Sequence, residues 1–287
     1  MPCEDSLLFS NSKDGKTTEL WQFIDHYTKK TNTTARLITA DLGGIDPFIQ
    51  SGMEEENRVD ILKITVDSPF DVLNKLADGY WPFNGEWKLN KPENVSILAI
   101  EGITSIATVC LEKMKRTPTP SGFKKSFTFQ EGSSTISGLN EGHYGIVQDY
   151  ISTWIRGFKN TCDDQGYKYL IWTALQEINT NKQTDAVSIV PSGAGSKQNT
   201  KFTSWFSNSF FLSRALDEEN QEQFIMRFEP FNDSLTGARV ACGTRMLPEV
   251  RMKMLEKYPE GIIVRGTKGG LVQYFGSRNR LLKERKG

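Results

Sequence analysis

The sequence predicts an α/β protein: a mostly parallel central sheet flanked by helices, extended by antiparallel strands in its C-terminal half. Three observations carry this. Four short apolar runs, SLLFS (6–10), ARLITA (35–40), VSILAI (95–100) and KYLIWTA (168–174), read as strands buried on both faces, as in a parallel sheet covered by helices. Helical patterns lie between them. After Trp205 the pattern changes to short strands at 208–214, 224–229 and 238–243.

In chain order, the first strand is followed by a helix over about 16–30, with Leu20, Phe23, Ile24 and Tyr27 on one face and Lys29 and Lys30 at its negative end. The clearest helical repeat spans 144–163, where Ile151, Trp154, Ile155 and Phe158 recur at spacings of three and four. Segments 79–94, 115–142 and 179–201 read as long loops, which in compact domains are usually functional or mobile. Tyr80, Trp81, Phe83 and Trp87 are expected to pack the first of these onto the sheet. A helix follows Pro248 over 248–258, then IIVRG and LVQYF read as further strands, and the tail RNRLLKERKG is basic.

Composition narrows the class. At 287 residues and 37% hydrophobic, the chain is expected to fold as one domain over 1–287, with a core at about 5–250 and an extension from 251 to 287. Lys plus Arg and Asp plus Glu both number 35, so no global field steers it to nucleic acid or anionic membrane. Any such contact is local. The four cysteines form no CxxC pair, which argues against a zinc site or disulfide framework and for reduced thiols in the cytoplasm. No run approaches the ~18 apolar residues of a membrane helix, and no leader pattern opens the chain. His26 and His143 lack the sequence context of metal or nucleophile chemistry.

The chemistry is expected at SNSKDGKTT. The phosphate-loop pattern G-x-x-x-x-G-K-[ST] maps onto Ser10, Asn11, Ser12, Lys13, Asp14, Gly15, Lys16 and Thr17, with Thr18 next in the helix, and only the first glycine is changed. Such a loop curls backbone N–H groups around an anion at a helix N-terminus, while Lys neutralises the outer phosphates and Ser or Thr holds magnesium. Its position after an apolar run and before an amphipathic helix is the context the motif demands.

A nucleotidase also needs carboxylates at neighbouring strand ends. Glu101 closes VSILAIE and is assigned, with Thr17, to magnesium; Asp41 ends LITAD and is assigned to the attacking water. Thr173, Gln176 and Glu177 end a further strand, and Gln176 is taken as the γ-phosphate sensor.

With these strand ends in place, the chain resembles the RecA-like P-loop ATPases, and among them compact phage-encoded ATPases related to single-strand-annealing and recombination proteins. The resemblance rests on SNSKDGKTT, ITADLGGIDP, LAIEGITSI and LIWTALQE, with KQNTKFTSWFSNSFFLSR and RVACGTRMLP as late segments, and covers roughly 5–250. It departs from the family at Ser10, Asp41 and Glu101. It implies binding of ATP with Mg2+, ATPase chemistry at Asp41, Glu101 and Gln176, and self-assembly into a ring or filament. In such assemblies a neighbour's basic residue completes the site; Lys197, Lys201, Arg239 and Arg245 lie in the matching segments, and Arg245 is the first choice.

Single-stranded DNA is the implied partner, in phage recombination, annealing or replication. The segment RTPTPSGFKKSFTF interleaves cations with aromatics, and Lys124, Lys125 and Phe127 are its candidate DNA contacts. Two other readings compete: a non-catalytic assembly protein that keeps nucleotide as a structural ligand, and a helicase or packaging motor. The motor is disfavoured because Gly102, not a second acid, follows Glu101.

Overall fold

A computed structural model describes residues 3–41, 43–90, 94–116, 128–131, 134–137, 141–181, 184, 186–193, 202–233, 238–264 and 269–285, with side chains described outside 128–142. In chain order its elements are β1 (Glu4–Ser10), α1 (Lys16–Thr31), β2 (Thr34–Thr39), a 3-10 turn (Gly43–Ile45), α2 (Asp46–Gln50), β3 (Val59–Lys63), α3 (Pro69–Ala77), β4 (Tyr80–Phe83), β5 (Glu86–Leu89), β6 (Val95–Glu101), α4 (Ile103–Arg116), β7 (Thr128–Glu131), β8 (Ser134–Ser137), α5 (Glu141–Asp164), β9 (Tyr169–Thr180) and β10 (Val187–Pro191). They continue with β11 (Asn208–Leu216), β12 (Glu222–Arg227), β13 (Phe231–Asn232), β14 (Arg239–Val240), β15 (Gly243–Thr244), α6 (Pro248–Lys257), β16 (Ile262–Val264) and α7 (Gly270–Glu284).

Across the sheet the strands run β3-β2-β6-β9-β1-β11-β12-β16. From β3 to β11 every pair is parallel; β12 and β16 add antiparallel strands at the far edge. The expected α/β class is therefore the one observed. The parallel strands end at one edge, and a strand separates β1 from the strand that carries Glu101: β9 lies between them.

The alternation of side chains across the pleat explains the two-sided core. Leu7 and Phe9 of β1 and Leu98 and Ile100 of β6 face α3, α4 and α5, including Leu73, Ile106, Trp154 and Phe158. Leu8, Ile97 and Ala99 face the other way, against Leu20, Phe23 and Ile24 of α1, Met254 of α6 and Tyr274 of α7. This is why the sequence shows continuous apolar runs in place of alternation.

Several expectations change. LVQYF is the first part of α7, not a strand: Leu271, Tyr274, Phe275 and Arg278 are the buried stripe of a helix, with the period completed by an arginine that composition scores as polar. The basic tail is correspondingly not all solvated, since Arg278 holds both carboxylate oxygens of Glu4 on β1. Within the expected loop 79–94, β4 and β5 pair as a hairpin, whose buried Trp81 stacks under the Arg36 guanidinium at 4.6 Å. Strand β11 joins β1 in parallel and pairs antiparallel with β12 and, at its amino end, with β15.

The C-terminal helix is tied to the first. Buried Glu19 of α1 accepts the N–H groups of Gly270 and Leu271 at 2.8 and 2.6 Å, capping the N-terminus of α7 where negative charge is favoured. Gly269 lets the carboxylate approach closely: a Cβ there would lie 2.8 Å from a Glu19 oxygen and displace it.

Among the described residues no helix is long and apolar enough to cross a membrane, and no cluster of three or more His, Cys, Asp or Glu forms a metal cage. All four cysteines are free thiols. Burial pushes Cys110 and Cys242 up to about 12, which leaves them unreactive at neutral pH.

Candidate active site

The loop after β1 enters α1 through Gly15, at φ +82°, a left-handed conformation that a side chain strains and glycine adopts freely. Gly15 brings no side chain to cap α1, so the first-turn N–H groups face the loop, the arrangement that suits an anion. Lys13 also sits at positive φ, +65°. Two left-handed residues within three positions curl the loop.

Lys16 folds back into that curl. Its Nζ donates to Ser10 Oγ at 3.1 Å, Ser10 O at 3.3 Å and Asn11 O at 2.5 Å, and the side chain is buried. Ser10, which replaces the usual glycine, lies wholly buried at the end of β1, in strand geometry. The changed residue thus needs no positive φ, and its hydroxyl becomes a holder for Lys16. Burial lowers the Lys16 pKa, while the nearby Glu101, Asp14 and Asp41 charges favour the ammonium.

Glu101, at the end of β6, is 4% exposed and held from both sides. Thr17 Oγ1 donates to its Oε1 at 2.6 Å and Thr173 Oγ1, from β9, to its Oε2 at 2.5 Å. Thr173 Oγ1 also accepts the Gly102 N–H at 2.7 Å. Burial raises the Glu101 pKa, with Thr17, Thr173 and Lys16 opposing and Asp41 adding to the rise. A hydroxyl and a carboxylate in contact are hard oxygen donors, the set that suits Mg2+.

Asp41 follows β2 in the same corner. Its Oδ1 accepts the Gly43 N–H at 3.0 Å, and its backbone N–H donates to Thr39 Oγ1 at 2.9 Å. Gly44 packs between the two acids: a Cβ there would stand 2.9 Å from Glu101 Cγ and 3.5 Å from Asp41 Cβ.

The structure therefore brings together Ser10, Asn11, Lys13, Asp14, Gly15, Lys16, Thr17, Glu101 and Asp41. Gln176 is not joined to them by any contact. It stands three residues beyond Thr173, which by pleat alternation turns it toward the opposite face, and its Oε1 is buried without a hydrogen-bond partner. Arg245 is exposed beside the amino end of β11, with its N–H on Ser207 O at 2.9 Å and Nη2 at 3.5 Å from Ser204 O. The phosphate loop instead meets the carboxyl end of β11, so Arg245 does not reach the site of its own chain. Lys124, Lys125 and Phe127, with Lys197 and Lys201, lie outside the described residues.

One contributor was named in the sequence without being assigned the role, and two had no assignment at all. Thr173 was one of three polar residues at its strand end, and its signal is that it alone lies within the apolar run. Gly44 left only the GG dipeptide after Asp41 as a hint. Arg214 of β11, whose Nη2 donates to Lys13 O at 2.6 Å and whose Nε lies 3.1 Å from Asp14 Oδ1, has no local signal because its partners are two hundred residues away.

No protein-family model and no curated relative matches the chain. Among solved structures, the crystal structure of KaiC-like protein PH0186 from the hyperthermophilic archaeon Pyrococcus horikoshii OT3 is similar at 14% identity, with 78% of this chain and 76% of that chain covered and a TM-score of 0.43. The likeness is one of outline, and the site stands on the geometry above.

Proposed function

We propose that this chain binds ATP with Mg2+ and hydrolyses it. The observation that carries the proposal is the convergence of three strand ends on one loop: Lys16 turned into the curl after β1, with Thr17 on Glu101 of β6 and Thr173 of β9 on the same carboxylate. Lys16 and the N-terminus of α1 would neutralise the β and γ phosphates. Thr17 and Glu101 would hold magnesium, which when bound supplies charge neutralisation between the phosphates. Asp41 would accept a hydrogen bond from the attacking water once its Oδ1 leaves the Gly43 N–H.

The finer reading is that of an oligomeric ATPase acting on single-stranded DNA in phage recombination, annealing or replication, with Arg245 acting on the site of a neighbouring copy. Its support is the sequence resemblance, together with the position of Arg245 at the surface and away from its own loop. A second reading, a nucleotide kept as a structural ligand without turnover, is favoured by one observation: Asp41 Oδ1 is engaged by the backbone of its own turn.

The experiment that separates them is ATP hydrolysis with and without single-stranded DNA for the wild type and Asp41→Asn. An ATPase loses turnover in Asp41→Asn and keeps nucleotide binding. No turnover in the wild type despite tight binding establishes the structural-ligand reading.

A further inference from the structure

Asp14 poses an electrostatic problem for a phosphate loop. It is an acid placed immediately before Gly15 and Lys16, its side chain is only 14% exposed, and it lies close enough to Lys16 to favour the ammonium form. A carboxylate at that point repels the polyphosphate that the neighbouring N–H groups attract.

The fold answers with a cation from the next strand. Arg214, on β11, places Nε 3.1 Å from Asp14 Oδ1 and donates from Nη2 to Lys13 O at 2.6 Å. Its other arm, Nη1, lies 3.6 Å from Glu222 of β12, and its guanidinium stands over the Phe224 ring at 5.8 Å. The same Phe224 ring closes the space beside Gly15, 3.6 Å from where a Cβ would be. One side chain therefore reaches both the acid and the carbonyl of the left-handed Lys13.

Resting on the phosphate-loop reading, we propose that Arg214 is a positioning residue for the nucleotide polyphosphate. It cancels the Asp14 charge and holds the Lys13 carbonyl outward, so that the loop presents N–H groups and the Lys16 ammonium to the phosphates. Arg214 acts within its own chain and through the loop, not by touching the substrate. This role differs from that of a basic residue supplied by a neighbour.

The test is a double-mutant cycle on Mg2+-ATP affinity, with wild type, Arg214→Gln, Asp14→Asn and the pair, and with Lys16→Ala as the reference for the loop itself. Arg214→Gln is expected to weaken binding about tenfold, within the coupling range of contacting charges, and adding Asp14→Asn recovers most of the loss. The loss shrinks as salt rises, because Arg214 is 41% exposed and its field is screened. Arg214→Lys, which keeps the charge but cannot span both partners, falls between wild type and Gln and serves if the Gln variant folds poorly. If Lys16→Ala weakens binding while Arg214→Gln binds as wild type, the inference is overturned and the phosphate loop stands. If the two substitutions simply multiply, charge cancellation is overturned; if Lys16→Ala changes nothing, the phosphate-loop reading fails and takes the inference with it.

Discussion

Replacing Thr173 by Val removes one hydroxyl and keeps the shape, at a position with no solvent exposure. Two hydrogen bonds disappear: the buried donation to Glu101 Oε2 at 2.5 Å and the partly buried acceptance of the Gly102 N–H at 2.7 Å. The first is a bond to a charged group, worth about 1.5–3 kcal/mol, and the second leaves a partly buried N–H unpaired, at the lower end of about 1–3 kcal/mol. The two share one hydroxyl and are not additive, so the expected loss is about 3 kcal/mol, or roughly 6–12 °C in Tm for a chain of this size. Thr173→Ser keeps the hydroxyl and is expected to lose about 1 kcal/mol, the value of a buried methyl group. Chemical denaturation and thermal melts of the three proteins give the comparison. A Thr173→Val protein within about 0.5 kcal/mol of wild type refutes the claim that this hydroxyl holds Glu101 in place.

Gly44→Ala puts a methyl group 2.9 Å from Glu101 Cγ, so the carboxylate must shift; Mg2+-dependent nucleotide affinity is expected to fall about tenfold, on the scale of a displaced ligand group, while affinity without metal changes less. Calorimetric titration with and without Mg2+ checks this, and equal losses in both would contradict it. Burial raises the pKa of Glu19 above the ordinary glutamate value of 4.5, so its contribution is fully present below that value and is lost as pH rises through the folded pKa. The stability of Glu19→Gln relative to wild type should therefore rise with pH from about 4.5 upward, whatever the offset from the altered cap of α7; parallel pH profiles in urea unfolding would count against it. The Arg214 and Asp14 cycle supplies a further independent check on the loop.

Much of the site was legible because it is local or lies at strand ends. The loop, Gly15, Lys16 and Thr17 are consecutive, and Glu101 and Asp41 each follow an apolar run that reads as a buried strand. What could not be read was pairing. That β9 lies between β1 and β6, and so turns Thr173 rather than Gln176 toward Glu101, depends on strand order, which no residue spacing encodes. Arg214 and Arg278 were hidden for the same reason: each is a charged residue that looks solvated until a partner, Asp14 or Glu4, arrives from the other end of the chain. LVQYF misled because a short run of apolar and aromatic residues suits either a strand or a buried helix.

The central claim is that this loop binds nucleotide phosphates through Lys16. Equilibrium binding of ATP in the presence of Mg2+, wild type against Lys16→Ala, tests it most directly. The account predicts saturable wild-type binding that Lys16→Ala weakens at least tenfold in a protein that still melts cooperatively, consistent with loss of a charge-assisted contact. Equal binding by both proteins, or no binding by a folded wild type, would contradict it.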